Sequence, residues 1–272
     1  LGRPVSRSGD AFRYDARGQV TNAAIDGAAF RYAYDPIGNR TAANEDGKNT
    51  VYQSNAVNQY TNLTSNLSPL TSNLSYDLDG NLVSDGARTF EWSAAGHLAA
   101  AETSTRRYES AYDWQGRRVK RTEYRRVGNN WRWVEDRDYV YDGWNLVYEH
   151  RDHASEGEAE LSYFWGPDLS GTLQGAGGVG GLVAVSIDGD YYFPGYDNNG
   201  NVIGYWDEEG EIVAEYRYDA FGNTIDEDGD MTAVFPHRFS TKYYDAETDL
   251  YYYGYRYYSP SLGRWISRDV PS

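Results

Sequence analysis

Hydrophobic and polar positions alternate most clearly between Glu211 and Tyr218. Ile212, Ala214, Tyr216 and Tyr218 share one face of an extended segment, and Val213, Glu215 and Arg217 share the other. A period of two with one drier and one wetter face predicts a strand. At about 3.3 Å per residue it would run roughly 26 Å. Trp206-Asp207-Glu208-Glu209-Gly210 precedes it, and Tyr218-Asp219-Ala220-Phe221-Gly222 follows. In each bracket the Asp can accept from the N–H two residues on. The Gly supplies the positive φ that a type I turn with a bulge requires. The stretch from Tyr196 to Thr224 therefore reads strand, turn, strand, turn.

The same unit, aromatic-Asp-x-x-Gly, recurs along the chain. It stands at Tyr14-Asp15…Gly18, Tyr34-Asp35…Gly38, Tyr76-Asp77…Gly80 and Tyr112-Asp113…Gly116. It returns at Tyr196-Asp197…Gly200 and Tyr218-Asp219…Gly222. Trp92-Ser93…Gly96 is a copy with Ser for Asp, and Tyr141-Asp142-Gly143-Trp144-Asn145 is a copy with its Gly moved. A step of 42 from Tyr34 to Tyr76, double the usual spacing, leaves room for an eroded copy near 52–62. Strands restart straight after the turn glycines, as at Gly80-Asn81-Leu82-Val83. The nearest helix candidate, 94–101, is short and broken by Gly96. The polar repeat over 60–75 reads as an irregular loop or edge excursion. The predicted class is all-β: tandem hairpins laid side by side as a long curling sheet, each stabilised by stacking on its neighbours.

Composition agrees. The 272 residues include 27 Tyr and 29 Gly and no Cys, which suits turn-rich β-structure and removes any disulfide framework or Cys metal site. No apolar run approaches the ~18–20 residues of a membrane span. The chain does not begin with Met, so it is expected to be a fragment or processed product, and its export signal is not visible. The net charge of −16 is uneven: residues 1–105 carry −3, 106–137 carry +5 and 138–272 carry −18. Such an acidic chain is not expected to bind nucleic acid, because phosphate repulsion opposes it.

Candidate chemistry is sparse. Gly175-Ala176-Gly177-Gly178-Val179-Gly180 matches G-x-G-x-x-G, but a dinucleotide site needs a helix after it. Leu182–Ile187 reads as a strand ending at Asp188-Gly189, so the glycines are expected to form a flexible strand entry. Asp226-Glu227-Asp228-Gly229-Asp230 is the best place for a hard cation, yet its Gly is misplaced for an EF-hand, and it reads more simply as a solvated acidic hairpin loop. His97, His150, His153 and His237 have no metal-ligand or triad context, and His150 and His153 look like loop surface. The run Arg117-Arg118-Val119-Lys120-Arg121 with Arg125-Arg126 is either a patch for an acidic partner, including this chain's own acidic region, or charge on exposed hairpin strands; the second reading is preferred. The tyrosines of 251–258 are expected to pack across strands. Asn39, Asn62, Asn66 and Asn73 lie in N-x-S/T sequons, which chance in an Asn/Thr-rich stretch accounts for equally well.

The Y-D-x-x-G-N units resemble the YD-repeat, or Rhs (rearrangement hotspot), family, which is related to insecticidal toxin-complex C proteins and teneurins. The segment from Phe164 through Ser170-Gly171 to Gly181 looks like the family's approach to its core. The run from Phe239 to Trp265 resembles the Rhs-associated core through Tyr244, Asp245, Tyr252, Arg256, Tyr257, Tyr258, Pro260, Gly263 and Arg264. The resemblance implies YD-repeat hairpins over 1–160 and 161–238 and a core segment over 239–272. It implies part of a hollow shell or barrel that encloses or presents a C-terminal toxin or effector. The partners would be that cargo and further repeats of the same or another chain, and the setting a secreted or cell-surface bacterial protein. The alternative is a teneurin-like or wall-associated adhesion or recognition module. Family members also carry an aspartyl autoprotease downstream of the position matching Arg264-Trp265. Here Val270 interrupts the usual Asp-Pro, and Asp249 and Ser259 stand where Gly and Asp are common. No catalytic residue, cofactor or metal ligand is carried over, and an enzyme is not expected.

Overall fold

The computed structural model describes residues 6–7, 9–66 and 71–269. They form antiparallel β-structure with one short 3-10 turn at Phe239–Thr241. The chain divides into two compact units, residues 1–87 and 88–272. In the first, an 8-stranded sheet runs from Ser6–Arg7 to Thr71–Asn73, each strand pairing with the next in sequence. In the second, strands from Thr89–Trp92 to Thr224–Asp228 follow the same rule, and a separate 4-stranded sheet spans Tyr243–Asp245 to Arg264–Trp265. No helix among the described residues is long and apolar enough to cross a membrane.

The repeated unit makes one turn throughout. Asp15 Oδ1 accepts from the N–H groups of Arg17 and Gln19, both at 2.9 Å. Gly18 donates to the Asp15 carbonyl and sits at φ +79°. These donors, the Gln19 amide foremost, hold the Asp15 carboxyl below its ordinary range. Where Asn follows the Gly, its amide grips the second Asp oxygen, at 2.8 Å in Asn39–Asp35 and 2.6 Å in Asn223–Asp219. Ser93 makes the same turn with its hydroxyl. The eroded copy is real: Asn55 replaces Asp, accepting from Val57 and Gln59, and Asn58 takes the positive φ of +64°. At Tyr141 the five-residue turn is absent. Asp142 pairs with Asn145 across a two-residue Gly143-Trp144 turn, because Gly at the first central position selects that shorter loop. Asp26-Gly27, Asp46-Gly47 and Asp188-Gly189 close other hairpins with both residues at positive φ.

Each unit also inserts a bulge one residue into the outgoing strand. Tyr14 pairs with Val20 and Arg13 with Asn22, leaving Thr21 extra; Tyr112 pairs with Arg118 and Ala111 with Lys120, leaving Val119 extra. A bulge bends the strand and shifts which residues face inward. The motif tyrosines then tie one repeat to the previous one. Tyr34 donates to Val20 O, Tyr112 to Leu98 O and Tyr218 to Val202 O, all at 2.8 Å. Val20, Leu98 and Val202 are each the first strand residue after the preceding turn. Tyr fits because its ring packs as apolar bulk while its hydroxyl finds a partner.

Two expectations change. The stretch 60–75 is not an irregular excursion: Tyr60–Ser65 and Thr71–Asn73 are paired strands, with residues 67–70 outside the described set. Asn, Thr and Ser occupy both faces there, so no alternation of polarity marks the strands, and Asn62 bonds Asn73 across the pair. The acidic run near 226 is mainly the exposed strand Thr224–Asp228. Strand Ile212–Tyr218 follows its predicted faces, with Ala214, Tyr216 and Tyr218 buried and Ile212 at the exposed end.

Candidate functional site

The most densely organised chemistry lies where the 4-stranded sheet meets strands Arg118–Val127, Asn130–Asp142, Asn145–His153 and Gly157–Trp165. The basic run, preferred above as exposed charge, is half buried. Because Val119 is the bulge residue, Arg118, Arg121 and Glu123 all turn inward, while Arg125 and Arg126 stay exposed. Their partners come from the chain's own acidic region. Arg118 Nη1 lies 2.6 Å from Asp245 Oδ2 with both side chains almost wholly buried. Arg121 reaches Asp245 at 3.6 Å and Glu247 at 2.9 Å, and Arg137 reaches Glu247 at 3.2 Å and Glu135 at 2.7 Å. Glu149, fully buried, takes Arg151 at 2.7 Å and the hydroxyls of Tyr163 and Tyr243 at 2.7 and 2.8 Å. Burial opposes its ionisation, but the Arg151 and Arg137 guanidiniums hold its carboxyl down at about 2. Glu247 is likewise held well below the carboxylate range against burial, by Arg121 and then Arg137.

Aromatic rings complete this seam. The Arg118 guanidinium sits 4.8 Å from the Tyr252 ring centre, 5.0 Å from Tyr139 and 5.1 Å from Tyr243, and its backbone N–H donates to the Tyr252 hydroxyl. Tyr257 bonds both Tyr112 and Arg118. Of the core residues singled out from sequence, Asp245, Tyr252 and Tyr257 thus converge on one arginine. Tyr244 bonds Asp249, which takes the left-handed φ of +50° that Gly adopts most readily. Tyr258 donates to Phe221 O and packs on Trp265, Arg256 lies over the same indole, and Arg264 pairs with Ser259 across the final strands. Pro260 and Gly263 close the turn between those strands.

The glycine-rich segment is a structured loop rather than a flexible strand entry. Asp168 Oδ2 accepts from the N–H groups of Ala176 and Gly178 at 2.7 and 3.0 Å, and its Oδ1 takes the Ser170 amide and hydroxyl. Amides that would cradle a phosphate therefore already hold the protein's own carboxylate. Burial opposes that carboxylate's charge, but the Ser170, Gly178 and Ala176 donors hold it at about 2. The histidines also shift. His150 and His153 belong to strand Asn145–His153, not to a loop. His237 is buried against Tyr163, Trp165 and Tyr243, and burial draws its imidazole down to about 3.

Glu123, Glu135 and Glu247 bring carboxylate oxygens within 4.8 Å of one another and are the one grouping among the described residues with metal-site geometry. Arg106, Arg137 and Arg121 pair with them in turn. The cluster is charge-compensated without an ion, and its arrangement serves to clamp two sheets together.

Comparison with known proteins agrees with this architecture. The family model described as Teneurin YD-shell matches residues 5–164 and 168–272. The chain is 33% identical over 254 residues to the tRNA nuclease WapA of Bacillus subtilis, spanning 90% of this chain and 10% of that protein. It is 26% identical over 292 residues to double-stranded DNA deaminase toxin A of Burkholderia cenocepacia, spanning 97% of this chain and 19% of that one. Among solved structures, the TcdB2-TccC3-Cdc42 crystal structure superposes with a TM-score of 0.53 over 96% of this chain and 17% of its own, at 18% identity. The chain thus spans only a tenth to a fifth of these relatives. With repeat turns, inter-repeat tyrosine ties and a family match over nearly all its length, the chain belongs to the Teneurin YD-shell family, an all-β shell fold of structural character.

Proposed function

We propose that this chain is a stretch of shell wall that encloses or presents a C-terminal toxin or effector, within a secreted or cell-surface bacterial protein. The observation carrying this reading is that one segment, matched over 90% and 97% of this chain, recurs in proteins named for different chemistries, a tRNA nuclease and a DNA deaminase toxin. A segment shared while the activity changes is a carrier, and function then resides in what it carries. The buried seam supports the same role: its carboxylates are occupied by arginines, which makes a rigid wall and leaves none of them free for acid–base work. An adhesion module of teneurin type has a narrower basis, a 30% match over 86 residues to Teneurin-m of Drosophila melanogaster.

The test is protease protection in the full-length protein. The segment following the shell should resist digestion while the wall is folded and become sensitive once the wall is melted. Equal digestion in both states, or particle images of an open sheet, would overturn enclosure and favour the adhesion reading.

A further inference from the structure

Beside the charge seam lies a cavity of about 200 Å³ that the wall role does not use. Its walls are aromatic: Tyr141 and Trp165 from the long sheet, Trp144 from the turn after Tyr141, and Tyr253 and Tyr255 from a loop of the 4-stranded sheet. Trp144 and Tyr255 pack at 4.4 Å between ring centres and stand partly exposed at the mouth. Trp165 is fixed by its indole N–H, which donates to Leu146 O at 2.7 Å. Gly254, at φ +91°, keeps the space open, since a Cβ there would lie 3.1 Å from the Trp144 ring.

Two polar groups in this lining are incompletely partnered. The Lys242 ammonium donates to Gly177 O and faces the Tyr253 ring at 5.4 Å, and among the described residues it makes no ion pair. The carboxylate that acts on it, Asp168, also accepts from four donors of its own loop. Burial pulls the amine down to about 8, with Asp168 opposing. The buried His237 has an Nδ1 with no hydrogen-bond partner. Buried polar atoms in folded proteins are ordinarily paired, and His237 Nδ1 departs from that. Beside it, in a chain of net charge −16, the half-buried Lys242 presents a cation to an aromatic chamber.

We propose that this cavity is a binding site for a small ring-bearing carboxylate, with the carboxylate on Lys242 and the ring against Trp144 and Tyr253. The volume is below the ~300–1,000 Å³ of common ligand pockets, which limits the occupant to about one ring. An acidic monosaccharide and an aromatic acid both present this chemistry, and both stack on aromatic faces.

Calorimetric titration of the intact chain with glucuronate and with 4-hydroxybenzoate tests the site, with glucose and inorganic phosphate alongside. Saturable binding of either acid is expected, with an affinity loss of about tenfold or more in Lys242→Met and in Trp144→Ala. Tighter binding of glucuronate identifies a sugar site, and tighter binding of hydroxybenzoate an aromatic-acid site. Lys242→Met removes one hydrogen bond at a half-buried side chain, so the fold should survive, and its melting temperature beside the parent's keeps the comparison interpretable. No saturable binding of either acid below about 20 mM, unchanged affinity in Lys242→Met, glucose binding equal to glucuronate, or phosphate binding equal to both acids would each overturn the proposal.

Discussion

Arg40 and Arg118 occupy the same place in two copies of the repeat, five residues after the turn aspartates Asp35 and Asp113. Both are buried, and both donate a backbone N–H to a tyrosine hydroxyl, Tyr60 at 2.9 Å and Tyr252 at 2.8 Å. Arg40 rests 4.5 Å from the Tyr52 ring with Glu45 at 3.9 Å, so tyrosine, cage and carboxylate all come from adjacent hairpins. Arg118 takes its tyrosine and carboxylate from more than 120 residues away. The first unit uses the position to join neighbouring repeats, whereas the second uses it to dock a distant sheet. A repeat protein whose stability is otherwise a sum over neighbours thereby gains one long-range closure.

The largest break in that comparison is Asp245→Ala. It leaves Arg118 buried without its carboxylate, which costs about 3–5 kcal/mol, whereas Glu45→Ala removes a contact at 3.9 Å rather than 2.6 Å and should cost less. Amide hydrogen exchange resolves the two units separately. Similar losses of protection from both substitutions would remove the distinction between docking and neighbour joining.

Acid sharpens the same contrast. Glu149 has a carboxyl lowered from 4.5 to about 2, so its stabilisation is complete above 4.5 and is lost as pH falls toward 2. Protection in strands Asn145–His153 and Tyr243–Asp245 should decline across that window, and Glu149→Gln should flatten the decline. A pH-independent profile in the parent chain would mean that the seam does not depend on this carboxylate's charge.

How much of this was legible depends on range. The turns were readable because Asp, Gly and Asn act within five residues of one another, and even Asn55 and Ser93 keep the acceptor that the turn needs. Strand Ile212–Tyr218 was readable because its bulge residue, Val213, lies at the very start and the alternation of Ala214, Tyr216 and Tyr218 runs unbroken after it. Arg118 and Arg121 were misplaced because the bulge at Val119 breaks the period of two just where it decides which arginines turn inward. The bulge does have a signal, since it follows each turn glycine at a fixed offset. Asp245 and Glu247 as partners had none: which carboxylates meet which arginines depends on how the 4-stranded sheet lies across the long one. Asp168 was hidden for a related reason, because a glycine run advertises free amides and says nothing of a carboxylate eight residues upstream.

The smallest effect is also the most specific. Tyr34→Phe removes the hydroxyl that ties Val20 O, and Tyr112→Phe removes the equivalent tie to Leu98 O. One neutral hydrogen bond contributes about 0.5–1.5 kcal/mol. Tyr112 has a second tie, since its hydroxyl also meets Tyr257 at 3.0 Å, and Tyr257 in turn touches Arg118. Tyr34→Phe should therefore fall near the low end of that range and Tyr112→Phe near the high end, in urea melts followed by exchange in each unit. If the two cost the same, the C-terminal sheet adds nothing to this tyrosine, and the long-range closure rests on the buried ion pairs and the other tyrosine contacts of the seam.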